Sequence, residues 1–360
     1  MILAQILIFL LCLLLIGVTL RSALRTLVLP RSAPDTITAI VFRVLRNLFN
    51  WRMMWARSYA ERDRIMAYYA PVTVLMLLPT WLALILLGYM GLFWATGMSG
   101  LYQVFVISGS SLFTLGFASD NTMAHMLLSF SEATIGMILV ALLIAYLPTM
   151  YSAFSRREAA VSQLDVRAGT PPSVLNMVTR FHRIGKLGDL SAFWRDWEML
   201  FAEMEESHTS LPALVFFRSP KPQTSWVTAA GCVLDCAAFI RSTVDQPHDP
   251  QTDLCIRAGF LTMRGICDFF GIPHDVDPHY PETPISISRA EFDAVCDELT
   301  TEGVPLVADR NQAWNDFAGW RVNYDEVLLA LCAITMAPEA PWSSDRAAQV
   351  ALPAILAHKN

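Results

Sequence analysis

The chain has 360 residues, of which 54% are hydrophobic and only 16% charged, and its mean hydropathy is +0.42. A soluble globular chain carries about 25% charged residues; here the apolar excess sits in residues 1–155, so this part is excluded as an ordinary soluble domain. The net charge of −6 divides into +6 over residues 1–70, −2 over 71–155 and −10 beyond, and an acidic C-terminal part argues against a nucleic-acid partner.

Residues 1–20, MILAQILIFLLCLLLIGVTL, carry no charge and are long enough for a helix to cross a bilayer. Arg21 and Arg25 follow the apolar run, whereas a secretory signal places positive charge before it. The expectation is an uncleaved N-terminal anchor over 1–20 with its N-terminus outside. Residues 21–70 then hold nine arginines, Arg31 among them. Within this segment, residues 36–58 place Ile37, Ile40, Val44, Leu48 and Trp51 at helical spacing, with Arg43, Arg46 and Arg52 between them. Two readings stand: a helix at the lipid headgroups, or a helix packed on the protein's own tail.

Residues 71–96 form a second uncharged run, with Pro79 expected to kink it, and residues 133–155 form a third. No Lys or Arg lies between Arg64 and Arg156. Positive charge marks the cytoplasmic side. That places 21–70 inside, 97–132 outside and the tail from 158 inside, in a multi-pass protein of the cell membrane.

The stretch between the second and third spans contains SGSSLFTLGFASD, residues 108–120. It is too polar for a fourth span and too apolar for a plain exposed loop. A helix over about 100–113 runs roughly 20 Å at 1.5 Å per residue, which reaches partway into a core of about 30 Å. Five extended residues, Thr114 to Ala118, return roughly 16 Å at about 3.3 Å each. The two lengths nearly match, as in a re-entrant loop. Backbone carbonyls at that depth are tolerated when buried in protein or lining an aqueous path. Gly116 admits backbone conformations barred to other residues.

Thr114-Leu115-Gly116-Phe117 resembles the selectivity filter of the potassium channel superfamily, T-x-G-[YF]-G. The order outer helix, re-entrant helix, filter, inner helix over residues 65–157 is similar to that family's pore domain. The resemblance implies that the carbonyls of Thr114, Leu115, Gly116 and Phe117, with the Thr114 hydroxyl, line potassium sites, with potassium the permeant ion and no other cofactor. It also implies that Phe117 packs its ring behind the filter, that Gly136 is the flexible glycine of the inner helix, and that four chains surround one pore.

Ala118 stands where the family has a second glycine. If that position requires φ > 0, alanine costs about 1–2 kcal/mol there, and the outermost ion site loosens. The family's acidic residue after that glycine is replaced by Ser119, with Asp120 one place on. Asp120 is either part of a charged ring at the outer mouth or a solvated loop carboxylate. Gly136 is either a hinge or a small residue permitting close helix packing. Glu132 is either interfacial or hydrogen-bonded behind the filter. Pro148 is placed to bend the lower inner helix. No Arg-repeat helix lies in the membrane, which argues against voltage sensing by charge displacement.

Residues 158–360 read as an α-helical bundle of about six to eight helices, punctuated at GTPP (169–172), SPKP (219–222), PHDP (247–250) and 271–284. Residues 151–166 are expected to continue the inner helix into it. Ser288 with Glu291 signals a capped helix start. GKLGD (185–189) lacks the spacing of a phosphate loop, so a nucleotide-binding regulator is not expected. His208, Arg218 and Trp226 form either a small anionic-ligand pocket or ordinary core contacts. Cys232 and Cys236, one turn apart, read as small hydrophobes rather than zinc ligands. His182, His248, His274, His279 and His358 lack ligand spacing.

The expectation is therefore an all-α membrane protein with four segments: 1–20 anchor, 21–70 Arg-rich cytoplasmic segment, 71–157 pore domain with a re-entrant helix and filter, and 158–360 helical cytosolic domain. It is not expected to be an enzyme. Its partners are the lipid bilayer and three further copies in a homotetramer, and the ligand of the cytosolic domain is unknown. The rival expectation is a membrane-anchored sensor or scaffold with a degenerate, non-conducting loop.

Overall fold

The computed structural model describes residues 2–29 and 35–349; Arg31 and His358 lie outside the described residues. Every regular element among them is a helix, with one isolated antiparallel bridge between Val244 and Leu306. The first six helices are α1 (Ile2–Leu27), α2 (Thr36–Met53), α3 (Tyr59–Ala67), α4 (Tyr69–Ala95), α5 (Leu101–Leu112) and α6 (Met123–Ala168). Three stretches, Ile2–Leu27, Tyr59–Ala95 and Met123–Ala168, are long and apolar enough to cross a membrane. The protein is a membrane protein on that ground.

The chain divides into two compact units. The first comprises the described residues up to Trp51 together with Tyr68–Ser152; the second comprises Arg52–Ala67 with the described residues from Ala153 onward. The Arg-rich segment 21–70 is thus split, and the short α3 belongs with the C-terminal part of the chain.

In the first unit, α4 presents Leu77, Trp81, Ile85, Tyr89 and Leu92 to a core shared with Ile16 and Ala23 of α1, Val104, Ile107 and Leu112 of α5, and Leu139 of α6. The spacing of three and four residues puts the α4 group on one helical face. A Cβ on Gly88 would come within 2.6 Å of the Ile16 side chain, so the small residue lets α1 and α4 approach closely. Asp35 begins α2: its Oδ2 accepts from the Thr38 amide (3.0 Å) and from Ser22 Oγ of α1 (2.5 Å). Trp81 Nε1 donates to the same Ser22 oxygen at 3.0 Å. Along α2, Ile37, Val41 and Phe42 pack toward this core, while Ile40, Val44, Leu48 and Trp51 are exposed.

The second unit adds α7 (Val174–Arg183), α8 (Ser191–Ser210), α9 (Trp226–Thr243), α10 (Pro250–Phe269), α11 (Arg289–Thr301), α12 (Arg310–Arg321) and α13 (Asp325–Thr335). These seven helices agree with the expected bundle. α9 is its centre, buried at every position but Arg241. Ser173, Ser225, Asp249, Ser288 and Asp309 cap helix starts, and Ser288 forms the expected reciprocal box with Glu291. The buried Arg321 pairs with Asp235 of α9 and Asp325 of α13 (2.7 Å to the latter), and the Tyr324 hydroxyl donates to Asp235 at 2.9 Å. A buried charge is tolerated when it is paired and hydrogen-bonded in this way.

Candidate functional site

α5 is short because Gly100 precedes it and the chain turns at Phe113 and Thr114, two residues before Gly116. Its buried positions, Val104, Ile107, Ser108, Ser110, Ser111 and Leu112, include three serines, which need partners away from water. Ser111 Oγ donates back to the Ile107 carbonyl (2.9 Å). Ser110 serves the loop: its carbonyl accepts from the amides of Leu115 (2.8 Å) and Gly116 (3.4 Å), and its hydroxyl oxygen accepts from the Ala118 amide (3.1 Å). Ser108 reaches Glu132 Oε1 of α6 at 2.5 Å and the Leu86 carbonyl of α4 at 3.3 Å.

The run Thr114–Ala118 is not the uniform extended segment anticipated. Thr114 has φ of 55° and Gly116 φ of 71°, both in the left-handed region. Gly116 accepts this freely, whereas Thr114 carries strain of about 1–2 kcal/mol. Ala118 is not among the residues with positive φ, so alanine is unstrained where a second glycine was expected to be needed. With the amides of Leu115, Gly116 and Ala118 held by Ser110, the carbonyls of Thr114, Leu115, Gly116 and Phe117 accept no hydrogen bond among the described residues. The Thr114 hydroxyl, expected to face the ion path, donates to the neighbouring Phe113 carbonyl (2.7 Å). The Phe117 ring, expected to pack inward, is 69% exposed, and Leu115 is 62% exposed.

Asp120 is not a free loop carboxylate. It accepts from the amide and hydroxyl of Thr122 and from His125 Nδ1, each at 2.9 Å. The Thr122 amide first, then His125 and the Thr122 hydroxyl, hold its carboxyl down to about 2. The buried His125 ties this corner to α4 through Thr96 Oγ1 (3.0 Å). Gly136 packs directly on the end of α5: a Cβ there would overlap the Leu112 carbonyl oxygen. α6 runs unbroken through Gly136 and Pro148 to Ala168, and so carries the helix past residue 166 as anticipated.

Trp226 lies beside His208, with ring centroids 4.9 Å apart, and lines the same cleft as Arg218, but all three are engaged with protein. His208 Nδ1 donates to the Met204 carbonyl (2.9 Å), and its Nε2 accepts from Arg157 Nη1 (3.0 Å). Burial first, then the Arg157 charge, push this imidazole well below its ordinary range, which keeps it neutral. Trp226 Nε1 donates to the Val215 carbonyl at 3.2 Å. Arg218 pairs with Asp63 of α3 at 2.5 Å and caps the carbonyls of Thr335 and Met336 at the end of α13. The cleft beside them, lined by Arg218, Ser219, Thr224 and Trp226, holds about 20 Å³, room for one water-sized group. The six cysteines of the C-terminal unit are free and buried, Cys232 and Cys236 among them. No group of three or more metal-ligating side chains occurs among the described residues.

Sequence reasoning did not single out Ser110 or His125. Their signal is faint: a serine four residues before Thr114, and a histidine five after Asp120. Family models, curated proteins and solved structures were each compared with the chain, and none matches it.

Proposed function

We propose that four copies of the chain form a cation channel of the cell membrane, selective for potassium and conducting passively through Thr114–Phe117. The observation that carries this reading is the set of four successive backbone carbonyls without a hydrogen-bond partner among the described residues, between two membrane-length helices. A ring of such oxygens replaces the hydration shell of a cation. In this reading α5 is a re-entrant helix, α4 the outer and α6 the inner helix. The exposed Leu115 and Phe117 side chains are then covered by neighbouring copies. Asp120, charged and fixed by Thr122 and His125, sits at the outer mouth. Ala118, unstrained, is compatible with the loop. The arginines of 21–64 and Arg156–Arg157 favour an external N-terminus and a cytoplasmic C-terminal unit. The exposed stripe Ile40, Val44, Leu48 and Trp51, beside Arg43 and Arg52, favours α2 at the lipid headgroups.

In this reading the C-terminal unit gates conduction. It includes the chain on both sides of the α4–α6 hairpin, residues 52–67 before it and 153 onward after it. The segment Leu214–Arg218 contributes to both holds: the Leu214 and Phe217 carbonyls accept from Arg157 of α6 (2.8 Å each), and Arg218 pairs with Asp63 of α3.

The test is flux from liposomes carrying the purified protein. Wild-type protein is expected to pass potassium in preference to sodium, and Gly116→Asp to abolish the flux. Absence of flux under every condition tried would favour the sensor or scaffold with a degenerate loop.

A further inference from the structure

Glu132 is a carboxyl fully buried inside a membrane helix, and its Oε2 has no partner among the described residues. Such a group is expensive where it sits. The hydrogen bond that Ser108 Oγ donates to its Oε1, at 2.5 Å, joins α6 to α5, and Ser108 reaches on to the Leu86 carbonyl of α4. One serine therefore stands between all three helices around the loop. The contact is one level of a seam: Ser108 meets Glu132, and one turn on, Leu112 meets Gly136. The same four-residue step on both helices fixes their register, since residues i and i+4 share a helical face. Ser110, two positions from Ser108 and so on the other side of α5, receives the amides of Leu115, Gly116 and Ala118.

We infer that Glu132 is a positioning residue for ion selection: through Ser108 it sets α5 at the depth and rotation from which Ser110 holds the Thr114–Ala118 backbone. This rests on the channel reading for its consequence, though not for its geometry. A close approach of helices alone would be secured by Gly136; the carboxyl adds a directional tie that apolar packing lacks.

The experiment uses the full chain in liposomes and in detergent, with Glu132→Leu, Glu132→Gln and Ser108→Ala. Two quantities are read: the potassium-to-sodium flux ratio, and hydrogen exchange of the amides in the peptide covering 113–120. Loss of a buried hydrogen bond predicts that Glu132→Leu and Ser108→Ala lower the flux ratio and speed exchange, each by about tenfold. Glu132→Gln, which keeps an oxygen toward Ser108, should stay within about threefold of wild type in both. Wild-type exchange and selectivity in Glu132→Leu, or in Ser108→Ala should the leucine variant not fold, would overturn the inference. Wild-type protein that passes neither ion overturns the channel reading instead; exchange then decides the tie alone, faster in Ser108→Ala supporting it and unchanged refuting it.

Discussion

Thr114 shows how a single residue departs from what pattern reading anticipates. Extended backbone is the default for a return strand, and a β-branched residue at positive φ is rare on steric grounds. Ser110 reverses that preference by drawing the Leu115 and Gly116 amides back onto the end of α5. Ala118 departs in the other direction, since its amide is bound to the Ser110 hydroxyl at a backbone conformation an alanine accepts. Gly136 is decided by what lies next to it, the Leu112 carbonyl oxygen. Gly136→Val should therefore separate α5 from α6 and destabilise the first unit by about 1–3 kcal/mol, the usual cost of overpacking. Thermal unfolding of the detergent-solubilised protein measures it, and an unchanged midpoint would show that the seam yields without cost.

At the scale of elements, the three spans were legible because a charge gap from Arg64 to Arg156 encloses two of them. The helical C-terminal unit was legible too, through its turn punctuation and the Ser288–Glu291 cap. The clasp on α3 was not, because Asp63 and Arg218 are 155 positions apart and nothing near Arg218 in the sequence points to Asp63 as its partner. The grouping of His208, Arg218 and Trp226 was legible from their shared stretch, but not its use. Arg157, far along the chain, takes up the imidazole, which reads as a ligand site only when Arg157 is left out. A neutral buried imidazole gives the second unit a pH dependence. The native state leaves His208 unprotonated while the unfolded chain binds a proton below its ordinary pKa of about 6.5. Stability is therefore full above that pH and falls as pH drops below it, by up to about 1.4 kcal/mol per pH unit from this group. Denaturant titrations between pH 7 and 5 should show the slope, and His208→Gln should flatten it; parallel slopes would assign the acid sensitivity elsewhere.

At the scale of the whole molecule, the same C-terminal unit owns residues before the α4–α6 hairpin and after it. Asp63 and Arg218 are both nearly buried, so removing one partner leaves the other uncompensated. Arg218→Ala should release residues 59–67, with a local loss of about 3–5 kcal/mol. Faster hydrogen exchange in that peptide reads it directly, and protection equal to wild type would mean that the Met66 side chain and its neighbours suffice to hold α3. If the unit gates conduction, the same variant should also change open probability without changing ion preference.

Conduction by the proposed channel depends on four copies bringing Thr114–Phe117 to one axis. An experimentally determined map of the purified full-length protein in lipid nanodiscs tests this most directly. It should show four chains related by a fourfold axis, with the carbonyls of residues 114–117 of every copy facing it. A different copy number, or Gly116 directed at lipid, would contradict the account.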